Sequence, residues 1–243
     1  MNFSCGNKTK TFSQLTNEVV NIALENKEYF NYISFYLSKL SDNTFSDVLI
    51  EISSEIYQIK NTNTEQYLNT ILESIKSLSK PDFSDFKGEF LELVIYNLYD
   101  NTNINKKAEC LPSLSNKKIE IYHNGNLLDK RLDAVFWSNH WIELHECKYS
   151  LKSFLNDNNE KSKIIFMNKL YYKLNNIFSD INLYLTTLSP ASEIKNRYIP
   201  ADNLEKRFRD FLKDNILKEL SEKQEVKINL IYKETLTQKL FNE

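Results

Sequence analysis

Glycine and proline are nearly absent, with 3 Gly and 4 Pro in 243 residues. So few excludes collagen-like repeats, Gly-rich nucleotide-binding folds and long flexible linkers. Charge of one sign is not in excess either. Lys+Arg total 31 against Asp+Glu 33, a net charge of -2. No global basic field is available to hold nucleic acid, so such a partner needs a local patch. The three cysteines, Cys5, Cys110 and Cys147, are odd in number and scattered. They do not read as a disulfide framework, which points to a reducing, cytoplasmic setting. The N-terminal stretch MNFSCGNKTK lacks the apolar core of a secretory signal, and the longest apolar runs fall short of a bilayer span, so no membrane partner is expected. What is present is the mixture of a folded chain: 41% hydrophobic and 26% charged residues.

Residues 11–79 carry helical apolar stripes. In SQLTNEVVNIALEN, Leu15, Val19, Ile22 and Ala23 recur at helical spacing. YFNYISFYLSKL, FSDVLIEISSEIYQI and TEQYLNTILESIKSL follow the same pattern. Asp42 or Asn43 is placed to cap the third of these helices and Thr64 the fourth. Pro81 marks a break, and SKPDFSDFKG reads as a boundary between a helical module, 1–80, and a second domain, 81–243.

Beyond it the texture changes. GEFLELVIYNLYD reads as a helix with a broad apolar face. Then come strand-like runs, 106–111 or 119–123 and RLDAVFW and WIELHECKY, with Asn124-Gly125 as a turn signal. A helix, EKSKIIFMNKLYYKLNN, is followed by a buried strand, NLYLTTLS. A last helix and strand, residues 204–233, end the pattern. Helices alternating with strands in this order predict an α/β (α+β) fold with a mixed sheet.

The chemistry concentrates in Leu132-Asp133-Ala134-Val135-Phe136 and Glu143-Leu144-His145-Glu146-Cys147-Lys148. Period-2 alternation puts Glu146 and Lys148 on one face of their strand. If Asn139-His140 is a two-residue hairpin loop, Asp133 stands directly opposite Glu146, with Cβ atoms about 4.5–5.5 Å apart. A loop one residue longer or shorter reverses the face, unless a bulge restores it. Two carboxylates that close raise one pKa unless a cation lies between them. Oxygen donors in that setting suit Mg²⁺ or Mn²⁺, and a neighbouring lysine can orient water or stabilise developing charge. The bland alternatives are a half-solvated sheet with exposed carboxylates, or a structural Glu146–Lys148 pair. A zinc site from His140, His145 and Cys147 lacks a fourth ligand.

These residues resemble the core of the PD-(D/E)xK nuclease superfamily, which has a restriction-endonuclease-like core. Asp133 matches its Asp and Glu146-Cys147-Lys148 its Glu-x-Lys, while Gly88-Glu89-Phe90-Leu91-Glu92-Leu93-Val94 resembles its helix pattern. The pattern favours Glu92 over Glu89 as the helix carboxylate. The resemblance covers roughly residues 85–190 and leaves residues 1–80 unmatched. It implies a restriction-endonuclease-like mixed sheet flanked by helices. Asp133, Glu146 and the Cys147 backbone carbonyl would bind Mg²⁺ or Mn²⁺, Glu92 would join them directly or through water, and Lys148 would position the attacking water. The implied reaction is phosphodiester hydrolysis of nucleic acid leaving a 5′-phosphate, with DNA favoured and an RNase of the same fold left open because no residue pattern reads the 2′-OH. Restriction, repair or anti-phage defence is the family-level role. The rival is a catalytically silent nucleic-acid-binding or assembly subunit of the same fold.

Glu-x-Lys also begins at Glu25, Glu193 and Glu225, and Glu225 is the serious decoy because it opens VKINLIY. Lys152, Lys161, Lys163, Lys169 and Lys173 surround the site in sequence, and Lys152, Lys163, Lys169 and Lys173 are the expected nucleic-acid contacts. The helical module would recognise substrate, bind a protein partner or form a homodimer.

Overall fold

A computed structural model describes residues 2–6, 10–39, 71, 74–75, 77–99, 104–156, 158–200, 203–218 and 225–242. The caps expected at Asp42, Asn43 and Thr64, and most of the third and fourth helical stretches, lie outside these residues. The chain divides into two units. One comprises residues 1–11 and 95–236, the other residues 12–94 and 237–243. The division therefore falls at 94/95 rather than 80/81.

The helical unit contains α1 (Gln14–Glu25), α2 (Lys27–Lys39) and most of α3 (Lys80–Tyr96). Val19, Ile22 and Ala23 are buried on α1, as the spacing predicts, while Leu15 is only half-buried and Thr16 and Val20 complete the buried stripe. Ser13 caps α1, its hydroxyl accepting the Thr16 backbone N–H at 3.1 Å. Pro81 does not break the chain but lies in the first turn of α3, where its missing N–H costs nothing. Ser79 holds that start, its carbonyl accepting from the Phe83 N–H at 2.8 Å.

The sheet unit opens with a small sheet of β1 (Phe3–Cys5), β3 (Pro112–Leu114) and β4 (Lys117–Lys118), with β3 in the middle. Its main sheet has five strands: β2 (Asn105–Cys110), β7 (Leu132–Trp137), β8 (Trp141–Cys147), β9 (Asp180–Thr186) and β10 (Ile228–Ile231). Their order is β10-β9-β8-β7-β2. β7 is antiparallel to both neighbours, whereas β8, β9 and β10 run parallel. The sheet is mixed and the class α+β, as expected. Of the two candidate first strands, the one at 106–111 pairs with β7. Residues 122–127 instead make a small hairpin, β5 (Tyr122–His123) with β6 (Asn126–Leu127), turning on Asn124 and Gly125 at φ 49 and 78.

The helices α4 (Leu151–Asn156), α5 (Asn158–Leu174), α6 (Ala191–Arg197) and α7 (Leu204–Asn215) belong to the same unit. One sheet face carries Val135, Ile142, Leu144, Leu183, Leu185, Ile228 and Leu230, and these join Ile164, Met167 and Leu170 of α5 in one hydrophobic core. A further helix, α8 (Lys233–Phe241), follows β10, where the sequence pattern ends on a strand.

Two expectations are corrected by long-range contacts. β1 joins the sheet unit by pairing with β3, so residues 1–11 do not belong to the helical module. Cys5 and Cys110 form a disulfide across a sequence separation of 105, and Cys147 is buried outside it. The inference from cysteine usage to a reducing compartment loses its premise. No helix among the described residues is long and apolar enough to cross a membrane.

Candidate functional site

The hairpin between β7 and β8 has the two-residue loop. Ser138 N–H donates to the Trp141 carbonyl at 3.0 Å, and Ala134, Val135 and Phe136 pair with His145, Leu144 and Glu143. One further step of this register sets Asp133 opposite Glu146. The two side chains thus leave adjacent strands on the same face. Asp133 Oδ2 accepts the Cys147 backbone N–H at 2.7 Å, which fixes the carboxylate against the end of β8.

Glu146 is 0% exposed, in the middle strand of the sheet. That burial removes the half-solvated reading for this residue. Its Oε1 is hydrogen-bonded by Lys163 of α5 and lies 3.9 Å from Lys148 Nζ. Its Oε2 is buried without a hydrogen-bond partner among the described residues. Burial pushes the Glu146 carboxyl well above its ordinary pKa, the nearby Asp133 charge pushes it further, and Lys163 and Lys148 oppose both. An unpaired oxygen on a buried carboxylate costs stability and asks for a partner.

Lys148 reaches Glu160 Oε1 at 3.2 Å, and its side chain is 28% exposed, more open than those of Glu146, Glu160 and Lys163. Glu160, in the first turn of α5, is buried and lies outside the sequence-predicted site. A signal for it exists in the sequence. Glu160, Ile164 and Met167 are one helical stripe, so the glutamate occupies a core-facing position. Lys163, three residues on, lies 4.0 Å from Glu160 Oε2. Burial works against the Lys163 ammonium, but Glu146, Asp133 and Glu160 outweigh it and hold its pKa above the ordinary lysine value.

The sheet unit therefore brings together Asp133, Glu146, Cys147 and Lys148. Glu92 belongs to the helical unit, half-buried on α3. Glu89, the alternative carboxylate, has a structural role. Its Oε2 accepts from the Thr16 hydroxyl at 2.9 Å and from the Ser13 N–H at 3.3 Å, tying the α1 cap to α3. Among the expected nucleic-acid contacts, Lys152 and Lys173 are exposed. Lys163 is committed to the carboxylates, and Lys169 donates to the Tyr122 carbonyl at 2.6 Å. The decoy Glu225 is exposed and pairs with its own Lys227 at 2.5 Å, outside β10.

On the opposite face of β8, Glu143 and His145 are also buried. His145 Nε2 lies 2.7 Å from Glu143 Oε1 and Nδ1 lies 3.0 Å from Thr186 Oγ1. Tyr99 OH donates to Glu143 Oε2 at 3.1 Å. Tyr184 stacks on His145 at 5.1 Å, and burial together with Glu143 pushes its phenol up to about 12. His145 is thus a satisfied structural residue, as the alternation of β8 implies.

Among the described residues, no group of three or more His, Cys, Asp and Glu side chains gathers as a metal cage. That argues against an all-protein cage, but Mg²⁺ keeps several waters and takes one or two carboxylates. Asp133 and Glu146 are hard oxygen donors, and the bare Glu146 Oε2 is the kind of orphan such an ion would satisfy.

No protein-family model matches the chain, and no curated protein matches it. A solved structure, that of protein VC1899 from Vibrio cholerae, is similar at 10% identity and a TM-score of 0.43, over 96% of this chain and 56% of that one. The chain thus spans little more than half the length of that protein.

Proposed function

We propose that the sheet unit is a divalent-metal-dependent nuclease that hydrolyses phosphodiester bonds, with DNA as substrate. The observation that carries this reading is the pairing of Asp133 with the buried, half-satisfied Glu146 across a two-residue hairpin, with Lys148 beside them. Asp133, Glu146 and the Cys147 carbonyl would hold Mg²⁺ or Mn²⁺, which when bound polarises a phosphoryl oxygen and lowers the pKa of a bound water. Asp133 is held in place by the Cys147 N–H, so its geometry is set before substrate arrives. Lys148, the partly exposed ammonium, presents a proton donor to the attacking water or the developing phosphate charge. Glu146 lies among apolar residues of the sheet, where water is excluded and charge interactions are strong. Of the four expected contacts, Lys152 and Lys173 are exposed and available to a phosphate backbone. The product would carry a 5′-phosphate, and a role in restriction, repair or defence rests on the family resemblance.

One observation favours the silent-subunit reading. The charges at the site close among themselves, two lysines against Glu146 and Glu160, as in a structural network. Incubation with duplex DNA, single-stranded DNA and RNA in Mg²⁺, Mn²⁺ or EDTA separates the two. Metal-dependent cleavage lost in both Asp133→Ala and Lys148→Ala is the expected result. Cleavage retained in both would remove this site.

A further inference from the structure

Lys163 stands at the focus of three carboxylates, Glu146, Asp133 and Glu160, each of which stabilises its charge. It is an ammonium in the place where the reading above puts a divalent ion, on which this inference rests. A divalent ion on the bare Glu146 Oε2 would lie beside the Lys163 ammonium on Oε1 of the same carboxylate, and the two like charges repel. The lysine therefore needs a second acceptor, and the geometry supplies one. Glu160 Oε2 lies 4.0 Å from Lys163 Nζ and is buried without a hydrogen-bond partner among the described residues. Glu160 Oε1 is already taken by Lys148 at 3.2 Å. Two buried carboxylate oxygens are thus left bare, one on Glu146 and one on Glu160; of the two lysines that bridge these residues, Lys163 is the one within reach of Glu160 Oε2.

We propose that Lys163 is a two-position counter-cation: it holds Glu146 in the metal-free protein and cedes it to a divalent cation by moving to Glu160 Oε2. Lys163 is then a positioning residue that sets metal affinity, and Glu160 acts through it. The carboxylates stay compensated in both states, which avoids leaving a bare buried charge when the metal departs. Metal affinity is correspondingly lower than the carboxylates alone would give, because binding must displace the resident ammonium. The displaced lysine keeps a positive charge beside the site in the loaded state.

The test measures Mn²⁺ affinity directly, by the loss of the free-ion paramagnetic resonance signal at about pH 8, so that its outcome does not depend on cleavage. Lys163→Met is expected to bind Mn²⁺ at least ~10-fold more tightly than the natural chain, since a unit charge is removed at contact distance. Lys163→Arg, which keeps the charge, is expected to bind as weakly as the natural chain. Glu160→Gln is expected to weaken binding in the natural background and to have little effect in the Lys163→Met background, because the two residues act in series. Lys163→Gln serves as a second neutral variant if the Met variant does not fold, with folding checked by thermal melting. A merely structural Lys163 lowers the melting temperature in these variants and leaves affinity unchanged. That result overturns the inference, and if Asp133→Ala still abolishes binding, the metal site itself stands. Equal loss from Glu160→Gln in both backgrounds overturns the relay to Glu160. Absence of Mn²⁺ binding in both the natural chain and Lys163→Met overturns the inference and the metal reading together.

Discussion

Two glutamates three residues apart on β8 share a strand and a degree of burial, and differ in almost everything else. Glu143 lies on the face that carries His145, Tyr184 and Thr186, and both its oxygens are matched, one by His145 and one by Tyr99. Glu146 lies on the apolar face among Leu144, Leu183 and Leu185, opposite another carboxylate and with one oxygen bare. A folded chain can keep a buried charge cheaply by completing its hydrogen bonds, as at Glu143. It has not done so at Glu146. Lys163 and Lys148 balance the Glu146 charge, and the proposed metal reading rests on the one buried oxygen that neither lysine satisfies, next to a second carboxylate.

The contrast can be broken by substitution. The largest effect is expected on the apolar face. Asp133→Ala or Lys148→Ala should lower metal-dependent cleavage by about 10²–10⁴-fold, measured on protein shown by its melting curve to be folded. Next is the opposite face, where the signature should invert. Glu143→Ala leaves His145 and Tyr99 without their acceptor and should cost about 3 kcal/mol. A urea midpoint reads this loss, while Mn²⁺ affinity stays unchanged in the protein that remains folded. Somewhat smaller is the effect of metal itself. Mn²⁺ at about a hundred times its dissociation constant should stabilise the natural chain by about 2.7 kcal/mol, and Asp133→Ala should show no such shift. Smallest is the exposed end of α5. Lys173→Ala should change stability by less than about 0.5 kcal/mol and reduce the salt dependence of DNA binding by about one phosphate contact.

What is legible in the sequence, and what is not, follows the range of the interactions involved. The pairing of Asp133 with Glu146 depends only on the length of the Asn139-His140 loop, a local quantity, and the register agrees with it. The Asn124-Gly125 hairpin and the α1 stripe are equally local. Glu160 and Lys163 do not stand out in sequence as partners of Glu146, because helix-on-sheet packing decides which face of α5 turns inward. The Glu160, Ile164, Met167 spacing carries a trace of it. The Cys5–Cys110 link and the docking of β1 on β3 join segments more than a hundred residues apart, and no periodicity encodes them. Pro81 reads as a break in sequence because proline punctuates both the ends and the first turns of helices, and the Ser79 contacts that decide between them are structural.

The central claim is that Asp133 and Glu146 hold a divalent cation and that Glu143, on the other face, does not. Calorimetric titration of Mn²⁺ into the natural chain, Asp133→Ala and Glu143→Gln tests it most directly. The account predicts saturable binding by the natural chain and by Glu143→Gln, and none by Asp133→Ala. Undiminished binding by Asp133→Ala, or its loss in a folded Glu143→Gln protein, would contradict it.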